Sequence, residues 1–186
     1  MVIQKICLDA GHGGTDSGAV GPTGLFESQA ALQTAEYVRR GFLDIGLEVF
    51  CTRSDDKYVS LPGRCEIANT GFADLFLSIH CNAFSNPMAH GGEVWTSVGP
   101  TPADAVAQRI FESMAESFPK LQMRYDKTDG DDDKEKGFAV LKNTRMPAVL
   151  VEVAFISNPI EEEWLRDVGW KMRMAGAIVS GVNRRP

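Results

Sequence analysis

The sequence predicts an α/β fold, with a largely parallel or mixed sheet covered by helices on both faces. Three observations carry this. Short apolar runs alternate along the 186 residues with segments of helical period. One run, Ala148-Val149-Leu150-Val151, is apolar without a break, as a strand buried on both sides must be. No repeat or linker divides the chain, so residues 1–186 are expected to form a single domain.

The elements follow in order. Strands are expected at Val2 to Leu8, Glu48 to Thr52, Asp74 to Ile79, Glu93 to Ser97 and Ala148 to Val153. Between the first two, Ser28 to Gly46 carries Leu32, Ala35, Val38 and Phe42 at helical spacing, and Gly46 stops the helix. Ser60-Leu61-Pro62 opens a short helix that Asn69-Thr70-Gly71 closes. Thr101-Pro102-Ala103-Asp104 reads as a helix start, with Thr101 as N-cap and Pro102 in the first helical position. Val106, Ile110, Met114 and Phe118 then mark its buried face. A last helix, roughly Gly169 to Val182, turns Met174, Ala177, Ile178 and Gly181 inward.

Hydrophobic content of 44% suits a soluble globular protein, and a formal net charge of -6 argues against nucleic acid as a partner. No run is long enough to insert in a membrane. The N-terminus lacks a basic region followed by a long apolar stretch, so synthesis in the cytoplasm without a signal peptide is expected. The four cysteines, Cys7, Cys51, Cys65 and Cys81, form no CxxC pair and read as reduced, mostly buried thiols. The segment Arg124 to Gly137 packs six acids and four bases into 14 residues and reads as a solvated loop.

The chemistry collects where apolar strands end. The first strand runs through Asp9 into a Gly-rich turn holding His12. The third ends at His80, and the central one at Glu152. The carboxyl edge of an open α/β sheet is where ligands bind, so these three groups converge there. Glu27, just before the following helix, lies on the same side. Two histidines and one carboxylate make a catalytic zinc set with an open fourth position, and the remaining carboxylate can serve as acid and base. Spacing alone leaves open which glutamate does which. His90 lies in a loop, and Cys81 points to the opposite face from His80, so neither is expected on the metal.

The stretches "LDAGHGGTDSGAVGPTGLFE", "TRSDDKYVSLPGRCEIAN", "ADLFLSIHCNA", "GGEVW" and "LKNTRMPAVLVEVAFISN" run in family order over nearly the whole chain. In them the sequence resembles the zinc-dependent N-acetylmuramoyl-L-alanine amidases of the amidase type 3 family, found in cell-wall hydrolases and phage endolysins. The resemblance implies a single twisted sheet of about six strands, similar to zinc exopeptidases. It implies one zinc ion on His12, Glu27 and His80, with Glu152 as catalytic acid and base. The implied reaction is hydrolysis of the amide between the lactyl group of N-acetylmuramic acid and L-alanine of the stem peptide. The implied partner is peptidoglycan, met by a monomer.

Around that set, Asp9 is expected to orient His12 through its second ring nitrogen. Asn82 and Arg64 are expected to line the groove, Asn158 to shape a turn, and the loop glycines to let the glycan–peptide strand approach. Some family members carry a helix that plugs the zinc site. Here the stretch between the Phe118 helix and Leu141 is short and charged, so an open site is expected. With no wall-binding module in view, a phage- or prophage-type lysin acting on the cell wall after release is the expected setting. The rival readings are a zinc peptidase cutting within the stem and a non-catalytic peptidoglycan-binding module.

Overall fold

The computed structural model describes residues 2–127 and 132–184. Among them, β1 (Lys5–Ala10), β2 (Glu48–Cys51), β3 (Leu75–Asn82), β4 (Glu93–Thr96), β5 (Lys134–Glu135) and β6 (Ala148–Phe155) form one sheet in the order β2-β1-β3-β6-β4-β5. β2, β1, β3 and β6 are parallel; β4 runs antiparallel to β6, and β5 parallel to β4. The sheet is therefore mixed, and the reversal of β4 brings its beginning, Glu93, to the edge where β1, β3 and β6 finish.

Helices α1 (Glu27–Asp44), α3 (Asp104–Ser117) and α6 (Val168–Asn183) cover one face. Ile6, Leu8, Leu75, Leu77, Ile79, Val149, Val151 and Val153 meet Val38, Phe42, Ile110, Met114 and Ile178 there, all fully buried. Each such side chain contributes about 1.5–3 kcal/mol by leaving water. The opposite face is covered only over its first half, by α2 (Leu61–Thr70) and α4 (Ala139–Asn143), which pack on Cys7, Phe76, Ala148 and Leu150. Further along that face the same alternation delivers Asp9, Ser78, His80, Asn82 and Glu152. The change from apolar to polar along one face marks where helix cover stops and the site begins.

The differences from the sequence reading have local causes. β1 starts later than expected and ends at Ala10, while β3 and β6 run past His80 and Glu152 to Asn82 and Phe155. The helix expected to be capped by Thr101 begins at Asp104. Thr101 and Asp104 instead close a turn before it: the Asp104 carboxylate accepts from the Thr101 N–H at 2.7 Å and from its hydroxyl at 2.6 Å. α2 starts as read, with the Ser60 hydroxyl accepting from Gly63 N–H. The four cysteines are free.

The charged segment is not simply a solvated loop. Asp133 is buried and accepts from the Thr96 hydroxyl at 2.7 Å, and Lys134–Glu135 adds β5 to the sheet. Its residues 128–131 lie outside the described residues. Among the described residues between α3 and α4 there is no helix, and none anywhere is long and apolar enough to cross a membrane.

Candidate active site

The turn after β1 is built from the inside. Two buried arginines hold its carbonyls. Arg53 donates to Ala10 O at 2.8 Å, and to Gly11 O and Ser28 O at 2.7 Å each. Arg64 donates to Ala10 O at 2.7 Å and to His12 O at 2.6 Å, and pairs with the Asp9 carboxylate at 2.6 Å. His12 takes a left-handed conformation, φ 59°, as do its glycine neighbours in sequence, Gly13 and Gly14. A Cβ on Gly11 would sit 2.2 Å from Cε1 of His80, one on Gly13 2.3 Å from the Lys57 carbonyl, and one on Gly14 2.5 Å from Tyr58 N. The glycines therefore make room for the protein's own His80 ring and the 57–58 backbone, not for an approaching strand as the sequence suggested.

Three donors meet at this turn. Nε2 of His12 lies 3.1 Å from Oε2 of Glu27, and Nδ1 of His80 lies 2.9 Å from Oε1. One donor atom from each of His12, Glu27 and His80 falls within 4.8 Å of the others. Donors at about 2.0–2.1 Å from a tetrahedral zinc stand about 3.4 Å apart, so the set fits one such ion. Nδ1 of His12 is engaged by Oδ2 of Asp16 at 2.9 Å. Asp16, not Asp9, thus orients the ring. Asp9 is fully buried, and its oxygens accept from Arg64, Thr52 and Ser78.

Electrostatics bind the group together. Burial alone would raise the Glu27 carboxyl, but the two imidazoles hold it well below the usual carboxylate range. Burial would lower His12, yet Glu27 and Asp16 outweigh it and raise it to about 9; His80 is raised in the same way by Glu27 and Glu152. The cluster gathers positive charge around one carboxylate, which is what a divalent cation would supply in exchange for protons.

Glu152 stands beside this group on the neighbouring strand, as cross-strand partner of His80. Its Oε2 is buried and makes no hydrogen bond. Burial, with Glu27 and Glu93 adding to it against His80 and His12, pushes this carboxyl up to about 7. A buried polar atom without a partner is rare, because leaving it so costs about 1–3 kcal/mol.

Of the other expected residues, Asn82 borders the site and donates to Glu93 at 2.8 Å. Arg64, expected in the groove, is instead buried and spent on Asp9 and the carbonyls of Ala10 and His12. Asn158 does more than shape a turn: it caps α5 (Pro159–Arg166) by accepting from Ile160 and Glu161 N–H. His90 and Cys81 stay off the donor group.

Helix α5 was not anticipated, although Asn158-Pro159 followed by acids is a helix-start signature. Its run of three glutamates reads as surface, yet Glu161 and Glu162 are 2% and 1% exposed. Glu161 accepts from Gly91 and Phe155 N–H; Glu162 accepts from Thr23 and Leu25 N–H, just before Glu27. One short helix so braces loops on both sides of the site. The acidic look of such a stretch says nothing of backbone donors waiting elsewhere in the fold.

Known proteins share this architecture. Residues 6–184 match the family described as N-acetylmuramoyl-L-alanine amidase. AmiA of Escherichia coli strain K12 is 31% identical over 216 residues, which cover 96% of this chain and 75% of AmiA. That aligned stretch is longer than the present chain, so AmiA carries inserted residues. LytC of Bacillus subtilis strain 168 is 36% identical over 181 residues, 97% of this chain and 35% of LytC. An amidase structure from Clostridium difficile 630 superposes with a TM-score of 0.88 at 30% identity, covering 97% of this chain and 95% of that one. Fold, site and sequence agree that the chain belongs to the N-acetylmuramoyl-L-alanine amidases.

Proposed function

We propose that this chain hydrolyses the amide joining the lactyl group of N-acetylmuramic acid to L-alanine of the peptidoglycan stem, with one zinc ion on His12, Glu27 and His80 and with Glu152 as acid and base. The observation that carries it is the buried, unpartnered Oε2 of Glu152 beside a ready-made His–Glu–His donor group. Zinc, when bound there, supplies a Lewis acid that lowers the pKa of water and polarises a carbonyl.

The remaining steps belong to the chain. Glu152 accepts the proton of the attacking water and returns it to the departing alanine nitrogen. Its raised pKa lets it hold a proton between the two transfers. Asp16 keeps the His12 ring turned toward Glu27, and the Gly11 backbone supports the His80 ring. Gly11→Ala is expected to weaken zinc binding about 10- to 100-fold, read by competition with a chelator, because the new Cβ displaces that ring. Unchanged zinc affinity would remove Gly11 from this role.

The activity is tested by mass spectrometry of a muramoyl-peptide digested by zinc-loaded protein, by protein stripped with a chelator, and by stripped protein reloaded with zinc. Free peptides with an unblocked N-terminal L-alanine are expected in the first and third digests and not in the second. Cuts inside the stem would make the chain a peptidase, and retention of glycan without cleavage would make it a binding module.

A further inference from the structure

A cleft of about 530 Å3 opens at Glu93, the cross-strand partner of Glu152, and is lined also by Asn82, Phe155 and Arg124. We propose that Arg124 determines specificity by receiving a carboxylate on the stem-peptide residue that follows L-alanine. This rests on the amidase reading above.

The argument begins with Glu93, the cross-strand partner of Glu152, which is 2% exposed. Its Oε2 accepts from Asn82 Nδ2 at 2.8 Å and from Trp95 Nε1 at 3.1 Å. Its Oε1 accepts from Arg124 Nε at 2.7 Å and from Lys134 Nζ at 3.0 Å. Two cations thus share one carboxylate oxygen, and Glu93 cannot neutralise both. Lys134 cannot present its charge to the cleft, since its ammonium lies 4.5 Å from the centre of the Trp95 ring and is mostly covered. Arg124 can: its side chain is 40% exposed and lines the cleft.

The guanidinium is also set in place. Nε is fixed by Glu93, and the Phe155 ring lies beneath it, 5.3 Å from Cζ. Phe155 is itself held by its N–H on Glu161 at 2.6 Å. Among the described residues no hydrogen bond engages either Nη, which leaves two donors of the fork that suits a planar carboxylate on a side chain that lines the cleft. Glu161 lies under this floor with its oxygens on Gly91 and Phe155 N–H, and does not line the cleft. The other half of the cleft, at Phe84 and Met88, is exposed and apolar, which suits the peptide's aliphatic parts.

Reach selects the residue. Cross-strand partners stand about 5 Å apart, so Glu93 is that far from Glu152, and Arg124 lies one hydrogen bond beyond it. A peptide leaving Glu152 at its alanine nitrogen advances about 3.3–3.6 Å per residue, which brings the next residue's carboxylate to the fork.

The test uses two muramoyl-tripeptides, one with the second residue's carboxylate free and one with it converted to the amide. The zinc-loaded protein is expected to favour the free acid at least about tenfold in kcat/KM, mainly through KM. Arg124→Gln is expected to bring the ratio to about one, and Arg124→Lys to restore part of it. Glu93 loses a partner in these variants, so the same preference is also read without a variant, from inhibition of the unaltered protein by the released acid and amide peptides. Equal handling of acid and amide by the unaltered protein, or a preference that survives Arg124→Gln, overturns the proposal. Cleavage of neither substrate overturns the amidase reading, and this one with it.

Discussion

Glu152→Gln is expected to lower amidase turnover about 100- to 10,000-fold while zinc stays bound, as loss of a general acid and base does. The amide has the same shape as the carboxyl group but cannot carry a proton between water and the leaving nitrogen. The fold should be untouched or slightly strengthened. Oε2 is buried without a partner, and burial already pushes this carboxyl toward its neutral form, so a neutral group suits the site. Turnover on a muramoyl-peptide, metal content after dialysis and the thermal midpoint would be read on one preparation. Turnover within tenfold of the unaltered protein would remove Glu152 from the proton path. Loss of zinc together with activity would make it a ligand instead.

Arg64→Met is expected to destabilise the protein by about 3–5 kcal/mol, the usual consequence of stripping one partner from a buried ion pair. Asp9 would be left with two hydroxyls and no cation in a fully buried setting, and the carbonyls of Ala10 and His12 would each lose a donor. The double variant with Asp9→Asn should recover part of the loss, because the orphaned charge is then gone. Urea denaturation in the presence of excess zinc would measure both. A loss below about 1 kcal/mol would show that Arg64 is dispensable to the turn, in the range of exposed pairs.

The strand pattern and the polar strand ends made the sheet and the His12, Glu27, His80 and Glu152 constellation legible in the sequence. Those features depend on local period and on residue types that have few other uses at a buried edge. What surrounds them was less visible. Asp9 and Asp16 lie three and four residues from His12 along the chain, and it is the left-handed turn at His12, not the spacing, that accompanies the contact with Asp16. The glycines of that turn answer to His80 and the 57–58 backbone, neighbours far off in sequence. Glu161 and Glu162 are buried because loops near residues 91 and 24 need acceptors, a demand that no local pattern announces. β5 has two residues and draws its order from β4.

The pairing of β3 with β6 shifts between His80 opposite Glu152 and Asn82 opposite Phe155, so that β6 gains one residue at this bulge. Strict alternation would send residues 152 and 155 to opposite sides of the sheet. The extra residue changes the phase, and Phe155 comes up on the same side as Glu152, under Arg124. The Glu152 carboxylate and the floor of the neighbouring cleft therefore owe their common facing to one extra residue. Adding one more residue between Glu152 and Phe155, beyond the one already accommodated at the bulge, would leave Glu152 opposite His80 and turn the floor over, replacing an aromatic surface with a side chain from the other side of the sheet. The floor of the cleft can in this way change while Glu152 keeps its place opposite His80.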